Sequence, residues 1–373
     1  MVHAKLSPSS SHRWLNCTAS IEACNPYENT SNPASRWGTA CHAIGEAYLR
    51  EAPIPKVGDT IEGEEVTQEM LEVAESYYYY VLGLVEEGGI LLPEETFDMT
   101  HLAPDMFGTS DATVLNDTHL HVIDLKTGHN LVSAQDNTQM MMYALGAAQY
   151  FKDEWIETVT MHIHQERAGH IDSFTMDVGD LERFGKFVAQ QAKAIRTGKT
   201  KFSPSEKACQ WCQHKSNCEA LAEFTLDIVT GSFENLDDID GKADEALPEH
   251  MANILEHEKL ILSFIGAIKD RALEEAKAGK EVKGYKLVKS VKHKRWIDPE
   301  KAEKYLVRKL KKTGAYATPK LITPTQALKA VGKENAAHLE KLFEVPEGEL
   351  VLAPESDRRK AAQNIAEQFD DSD

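Results

Sequence analysis

The stretch Phe107-Gly108-Thr109-Ser110-Asp111-Ala112-Thr113-Val114-Leu115-Asn116-Asp117-Thr118-His119-Leu120-His121-Val122-Ile123-Asp124-Leu125-Lys126 decides how the chain folds. Two β-prone runs, 107–115 and 119–126, flank Asn116-Asp117-Thr118, whose side chains favour a turn, so the spacing predicts a hairpin. Strand alternation puts Asp124 and Lys126 on one face and turns Leu125 to the other, while Asp111 rides on the first strand. Two carboxylates from neighbouring strands suit Mg2+ or Mn2+, hard cations that take oxygen ligands. A lysine beside them can orient or help deprotonate an attacking water and offset phosphate charge. The set fits hydrolysis of a phosphodiester, although an Asp-x-Lys on a strand is by itself common.

Reading outward, Ser133 is placed to cap a helix running to about Phe151, on which Gln139 and Tyr143 stand one turn apart and within reach of a phosphate or of the lysine. Residues 158–165 alternate as a strand, residues 171–176 pair with it across Ala168-Gly169, and a helix follows over 181–197. Upstream, apolar and small residues recur at helical spacing over 37–50 and again over 66–87. On the first of these helices Gly38-Thr39-Ala40-Cys41-His42 leads to Glu46, which shares a face with His42, and a histidine there could complete a metal shell. The second carries Tyr77 to Tyr80, read as half of a helix packed on the core in preference to a platform for bases. Residues 7–17 read as a short Ser-capped helix that delivers Cys17 near its end. Helices, strands, helix, strands, helix in this order give an α/β domain with a central mixed sheet flanked by helices.

The chain has 373 residues, enough for two units. Domain one is expected over 1–230, an acidic linker over 231–248 containing Asp237, Asp238 and Asp240, and a mainly helical C-terminal accessory region over 249–373. The net charge of -19 argues against a protein that coats nucleic acid, but fourteen Lys/Arg against four Asp/Glu between Lys280 and Lys320 could grip a polyanion locally. Lys292, Lys294, Arg295 and Trp296 interleave charge and aromaticity there, a pattern equally that of a solvated basic face or a partner surface. No apolar run is long enough to span a bilayer and the N-terminus lacks the core of a signal peptide, so a cytoplasmic protein with no membrane partner is expected.

Six cysteines in such a compartment are not expected to form disulfides. Cys209-x2-Cys212-x5-Cys218 is a three-thiolate cradle, one ligand short of what Zn2+ or a 4Fe-4S cluster takes, and spacing does not separate the two.

Taken in order, Gly38 to His42, Gly108 to Asp111, Asp124-Leu125-Lys126 and Gln139 to Tyr143 resemble the motif series of RecB-like nucleases in the PD-(D/E)xK superfamily, over residues 7–225. Ser110 stands where the superfamily's name has Pro, and Asp124 where it offers Glu as an alternative. The resemblance implies a restriction-endonuclease-like core. It implies a divalent metal held by His42, Asp111, Asp124 and the carbonyl of Leu125, with Lys126 as catalytic lysine and Gln139 and Tyr143 in support. It also implies the fourth thiolate: iron-sulfur nucleases of the AddB type and those of CRISPR systems take one cysteine before the core and three after it, which selects Cys17. Cys24 and Cys41 are then left over. The expected function is a DNA exonuclease or end-processing nuclease of phage-type replication, recombination or repair, with DNA as partner and a helicase, recombinase or single-strand-binding protein as a further one. The alternatives are a non-catalytic DNA-binding protein with a structural zinc site and a structure-specific endonuclease or nickase of the same fold.

Overall fold

The computed structural model describes residues 4–27, 33–230 and 251–285. Its centre is a five-stranded mixed sheet with strands in sequence order, β1 (Ile90–Asp98), β2 (Phe107–Asn116), β3 (His119–Leu125), β4 (Thr158–Gln165) and β5 (His170–Asp177). β2 and β3 form the expected hairpin, with Asn116 opposite His119. Asp117 occupies the left-handed region at φ 47°, which Asp tolerates better than most residues. β3 and β4 are parallel, so the chain must cross over, and it does so through α3 (Thr138–Tyr150). β4 and β5 turn back on each other through Glu166–Ala168 and Gly169 at φ 59°.

Both faces of the sheet are covered. Val159, Met161 and Ile163 of β4 and Leu120 and Val122 of β3 pack with α3 and α4 (Val178–Arg196) in one core. Ala112, Val114, Ile123 and Leu125 meet α1 (Pro33–Leu49) and α2 (Gln68–Leu82) in another. Tyr77 is 2% exposed in that second core and Tyr79 is 63% exposed, which is the one-sided packing expected of the tyrosine run.

Three elements differ from the sequence reading. β1 was not foreseen; it pairs antiparallel with β2 at the sheet's edge. α3 starts at Thr138, because Asn137 supplies the cap by accepting from the Met140 amide, whereas the Ser133 hydroxyl donates to Asp172. The division into units also falls later than the acidic linker: residues 1–282 form one unit and 283–373 a second. The reason is α6 (Glu258–Lys277), which follows α5 (Glu219–Thr230) and packs on the cysteine segment, burying Leu260 with Cys17, Ala208, Cys209 and Leu221. Lys215 Nζ donates to Ser263 Oγ at 2.7 Å and Arg271 to the Ser216 carbonyl. The acidic linker and the basic segment around Lys292, Lys294 and Arg295 lie outside the described residues, as does all but the first three residues of the second unit.

Candidate functional site

Two motif glycines explain how α1 and the N-terminal segment reach the sheet. A Cβ on Gly38 would stand 2.8 Å from Thr127 Oγ1, so a larger residue here would have to displace that hydroxyl, and glycine lets α1 come close to the residue after Lys126 without doing so. A Cβ on Gly108 would meet Pro8 at 2.5 Å, so glycine also seats the N-terminal segment on β2.

The approach of α1 puts His42 Nδ1 3.2 Å from Asp111 Oδ1, while the Leu125 amide donates to Asp111 Oδ2 at 2.7 Å. Glu94 completes the group: one donor atom each from His42, Glu94 and Asp111 lies within 4.8 Å of the others. No motif in the sequence marks Glu94. It falls opposite Asp111, since Pro93 pairs with Ala112 and Glu95 with Ser110. Its φ of 45° is unusual for a glutamate and marks a backbone held by its surroundings. Asp124, expected among the ligands, stands outside this trio. Its Oδ2 lies 2.7 Å from Lys126 Nζ and its Oδ1 accepts from Gln139 Nε2 at 3.2 Å. Gln139 Oε1 in turn accepts from Lys126 at 3.2 Å, and Gln139 Nε2 donates to the Tyr143 hydroxyl at 3.1 Å. Glu46, on the His42 face, pairs with Arg50.

The electrostatics are those of crowded acids around two cations. Burial and the charge of Asp111 push Glu94 up to about 8. Burial opposes the charged form of His42, but Asp111, Asp124 and Glu94 outweigh it and push His42 up to about 9. Burial also opposes the charge on Lys126, and Asp124 and Asp111 more than restore it, so the ammonium is held charged. Burial is the largest influence on Asp111, yet His42, Lys126 and the Leu125 amide together lower its pKa, whereas burial and Asp111 raise that of Asp124. One nitrogen and two carboxylates in reach of one another fit a divalent cation that accepts hard donors.

A second constellation lies at the cysteines. Cys17, Cys209, Cys212 and Cys218 line one cavity walled by Phe202, Pro204 and Leu221. Residues 15–18 meet residues 191–201 here, because Thr18 Oγ1 accepts from the Lys201 amide and Gln191 donates to the Leu15 carbonyl. Four cysteines lining one cavity supply the number of thiolates that a four-thiolate group takes, although their sulfurs are not drawn together as closely as the ligand atoms of His42, Glu94 and Asp111. Cys24, set aside from the sequence, stands with its Sγ 3.5 Å from Cys212 Sγ. The contact between the two thiols, in which either sulfur can donate, lowers the pKa of Cys24 and raises that of Cys212. A Cys17-x6-Cys24 spacing was the available signal. Cys41 is fully buried beneath α2 and directs its thiol at the Met70 carbonyl.

Among solved structures, the crystal structure of SSO0001 matches 54% of this chain and 95% of its own, at 12% identity and a TM-score of 0.23. A family profile described as "Protein of unknown function (DUF2800)" matches residues 3–360, so the chain belongs to the DUF2800 family.

Proposed function

We propose that this protein is a divalent-metal-dependent nuclease with a restriction-endonuclease-like core, hydrolysing DNA phosphodiesters as an exonuclease or end-processing enzyme in phage-type replication, recombination or repair. The observation that carries the reading is the meeting of His42, Glu94 and Asp111 beside the Asp124–Lys126–Gln139 network. His42, Glu94 and Asp111 would hold Mg2+ or Mn2+, which when bound polarises a phosphoryl oxygen and lowers the pKa of a water. Lys126, kept as an ammonium by Asp124, serves as a fixed positive charge for the phosphate and orients a water by donation. Gln139 holds the lysine in place and Tyr143 holds Gln139. Cys17, Cys209, Cys212 and Cys218 would hold a 4Fe-4S cluster, with Zn2+ as the alternative, tying the start of the domain to its end.

The test is incubation of the purified full chain with end-labelled single- and double-stranded DNA and with covalently closed circles, in Mg2+, Mn2+ or EDTA. Metal-dependent shortening of labelled ends is expected. Asp111→Asn, Asp124→Asn and Lys126→Ala should each lose ~10²-fold or more in rate, the scale of removing one group from a preorganised charged site, while still binding DNA. No hydrolysis with either metal overturns the reading, and cutting of closed circles turns it to an endonuclease.

A further inference from the structure

In a chain of net charge -19, one groove has the opposite character. Its charged lining is Lys5, Arg13, Lys126 and Lys207 against the single carboxylate of Asp136, and the rest is mostly Ser, Asn, Gln and Thr. Trp211 belongs to the same lining and is 65% exposed. Its position is set by the cysteine segment: Cys209 and Cys212, on either side of it, face the cysteine cavity, and the Cys212 amide donates to the Cys209 carbonyl at 3.2 Å. A large indole presented on a short, tethered turn into a cationic groove leaves an aromatic face ready to stack.

We propose that this groove is the track of a single nucleic-acid strand and that Trp211 is a base-stacking subsite on it, apart from the metal-ligand trio. The inference rests on the nuclease reading for the direction of the track, since Lys126 and Gln139 line the same groove. A duplex is disfavoured because its bases are already stacked on one another, whereas an unpaired base of any sequence offers a face to an indole. The net negative charge of the chain disfavours a polyanion over most of its surface, whereas the cationic lining of this groove accepts one. Lys5, Arg13 and Lys207 take phosphates, and Trp211 fixes the strand without reading its sequence.

The experiment is binding of a labelled oligothymidylate to the full chain in EDTA, followed by anisotropy, so that hydrolysis plays no part. Trp211→Ala is expected to weaken binding about tenfold or more and Trp211→Phe to retain most of it. The triple variant Lys5→Ala, Arg13→Ala, Lys207→Ala should flatten the salt dependence by about two units of slope. Quenching of tryptophan fluorescence by the oligonucleotide should disappear in Trp211→Phe, a readout that stands even where Trp211→Ala does not fold. Wild-type affinity in Trp211→Ala, equal weakening by Phe and Ala, or quenching that persists in Trp211→Phe overturns the subsite. Displacement of the oligonucleotide by polyglutamate at equal charge concentration assigns the groove to an acidic peptide instead. Strand binding that depends on Trp211 without cleavage in any metal sinks the nuclease reading and keeps the subsite, and cleavage with binding indifferent to Trp211 does the reverse.

Discussion

Glu94 sits at φ 45° on an edge strand, directed by that backbone into the group with His42 and Asp111. If it is a metal ligand, Glu94→Gln should reduce Mg2+-dependent cleavage by ~10²-fold and raise the metal concentration needed for half activity, since a neutral amide is a poorer ligand for a hard cation. Titration of cleavage against Mg2+ checks this, and an unchanged midpoint removes Glu94 from the site. Asp111, Asp124 and Lys126 were legible in the sequence because strand alternation fixes which side chains share a face. Glu94 was not, because Pro93 precedes it and proline argues against a strand. β1 tolerates Pro93 because it is an edge strand, where a missing amide need not break the ladder. Cys24 escaped for a different reason: its neighbour Cys212 is 188 residues away, and no periodicity encodes such a distance.

Elements carry two further predictions. The parallel pair β3–β4 carries a histidine chain, His162 buried and His121 half-buried, in which His121 Nδ1 and His162 Nε2 share a hydrogen bond of 3.0 Å and His162 Nδ1 bonds the Tyr80 hydroxyl at 2.8 Å. Burial, with neighbouring histidines adding to it, lowers His121 to about 4 and His162 to about 3 from the usual 6.5. The unfolded chain therefore binds protons at these sites below about pH 6.5 while the folded chain does not, so their stabilisation is whole above about pH 7 and drains as the pH falls towards 4. Thermal midpoints should fall between about pH 7 and pH 5, and the fall should be smaller in the double variant His121→Asn, His162→Asn. The same slope in both proteins would show that the acid sensitivity lies elsewhere. The short helix Ser11–Trp14 is the second case, for Trp14 is fully buried and its indole donates to the Ser7 carbonyl. Trp14→Ala should cost ~3–5 kcal/mol in urea denaturation. It should also lower metal or iron content, because Cys17 follows three residues later; a destabilised variant with full content would mean that Cys17 is placed independently of Trp14. Helix and strand types were readable from their periods, but the start of α3 was not, since Ser133 and Asn137 are both good caps and the choice was made by Asp172, far along the chain.

At the scale of the molecule, the cysteine cavity joins residues 17 and 209–218, and Leu260 of α6, beyond the segment that the sequence marked as a linker, is buried in one apolar cluster with Cys17 and Cys209. Composition suggested a boundary at the acidic run, but burial of Leu260 against Cys17 and Cys209 decided it, and apolar contact across such a gap leaves no mark on composition. Anaerobically purified protein is expected to be brown and to contain iron and sulfide, and Cys17→Ser and Cys218→Ser should both lose the metal and lower the thermal midpoint. Cys24→Ser should keep it, because Cys24 touches Cys212 without lining the cavity. Stoichiometric zinc without iron would assign the other metal, and metal loss in Cys24→Ser would redraw the ligand set. The closure of residue 17 on residue 218 also sets a clock on the ribosome. At about 5–20 residues per second, roughly 10–40 s separate the synthesis of Cys17 from that of Cys218. Through that interval Cys17 waits for the cysteines of residues 209–218, so the newborn chain passes through a stage in which an early thiol is open to oxidants before the cavity can close around it.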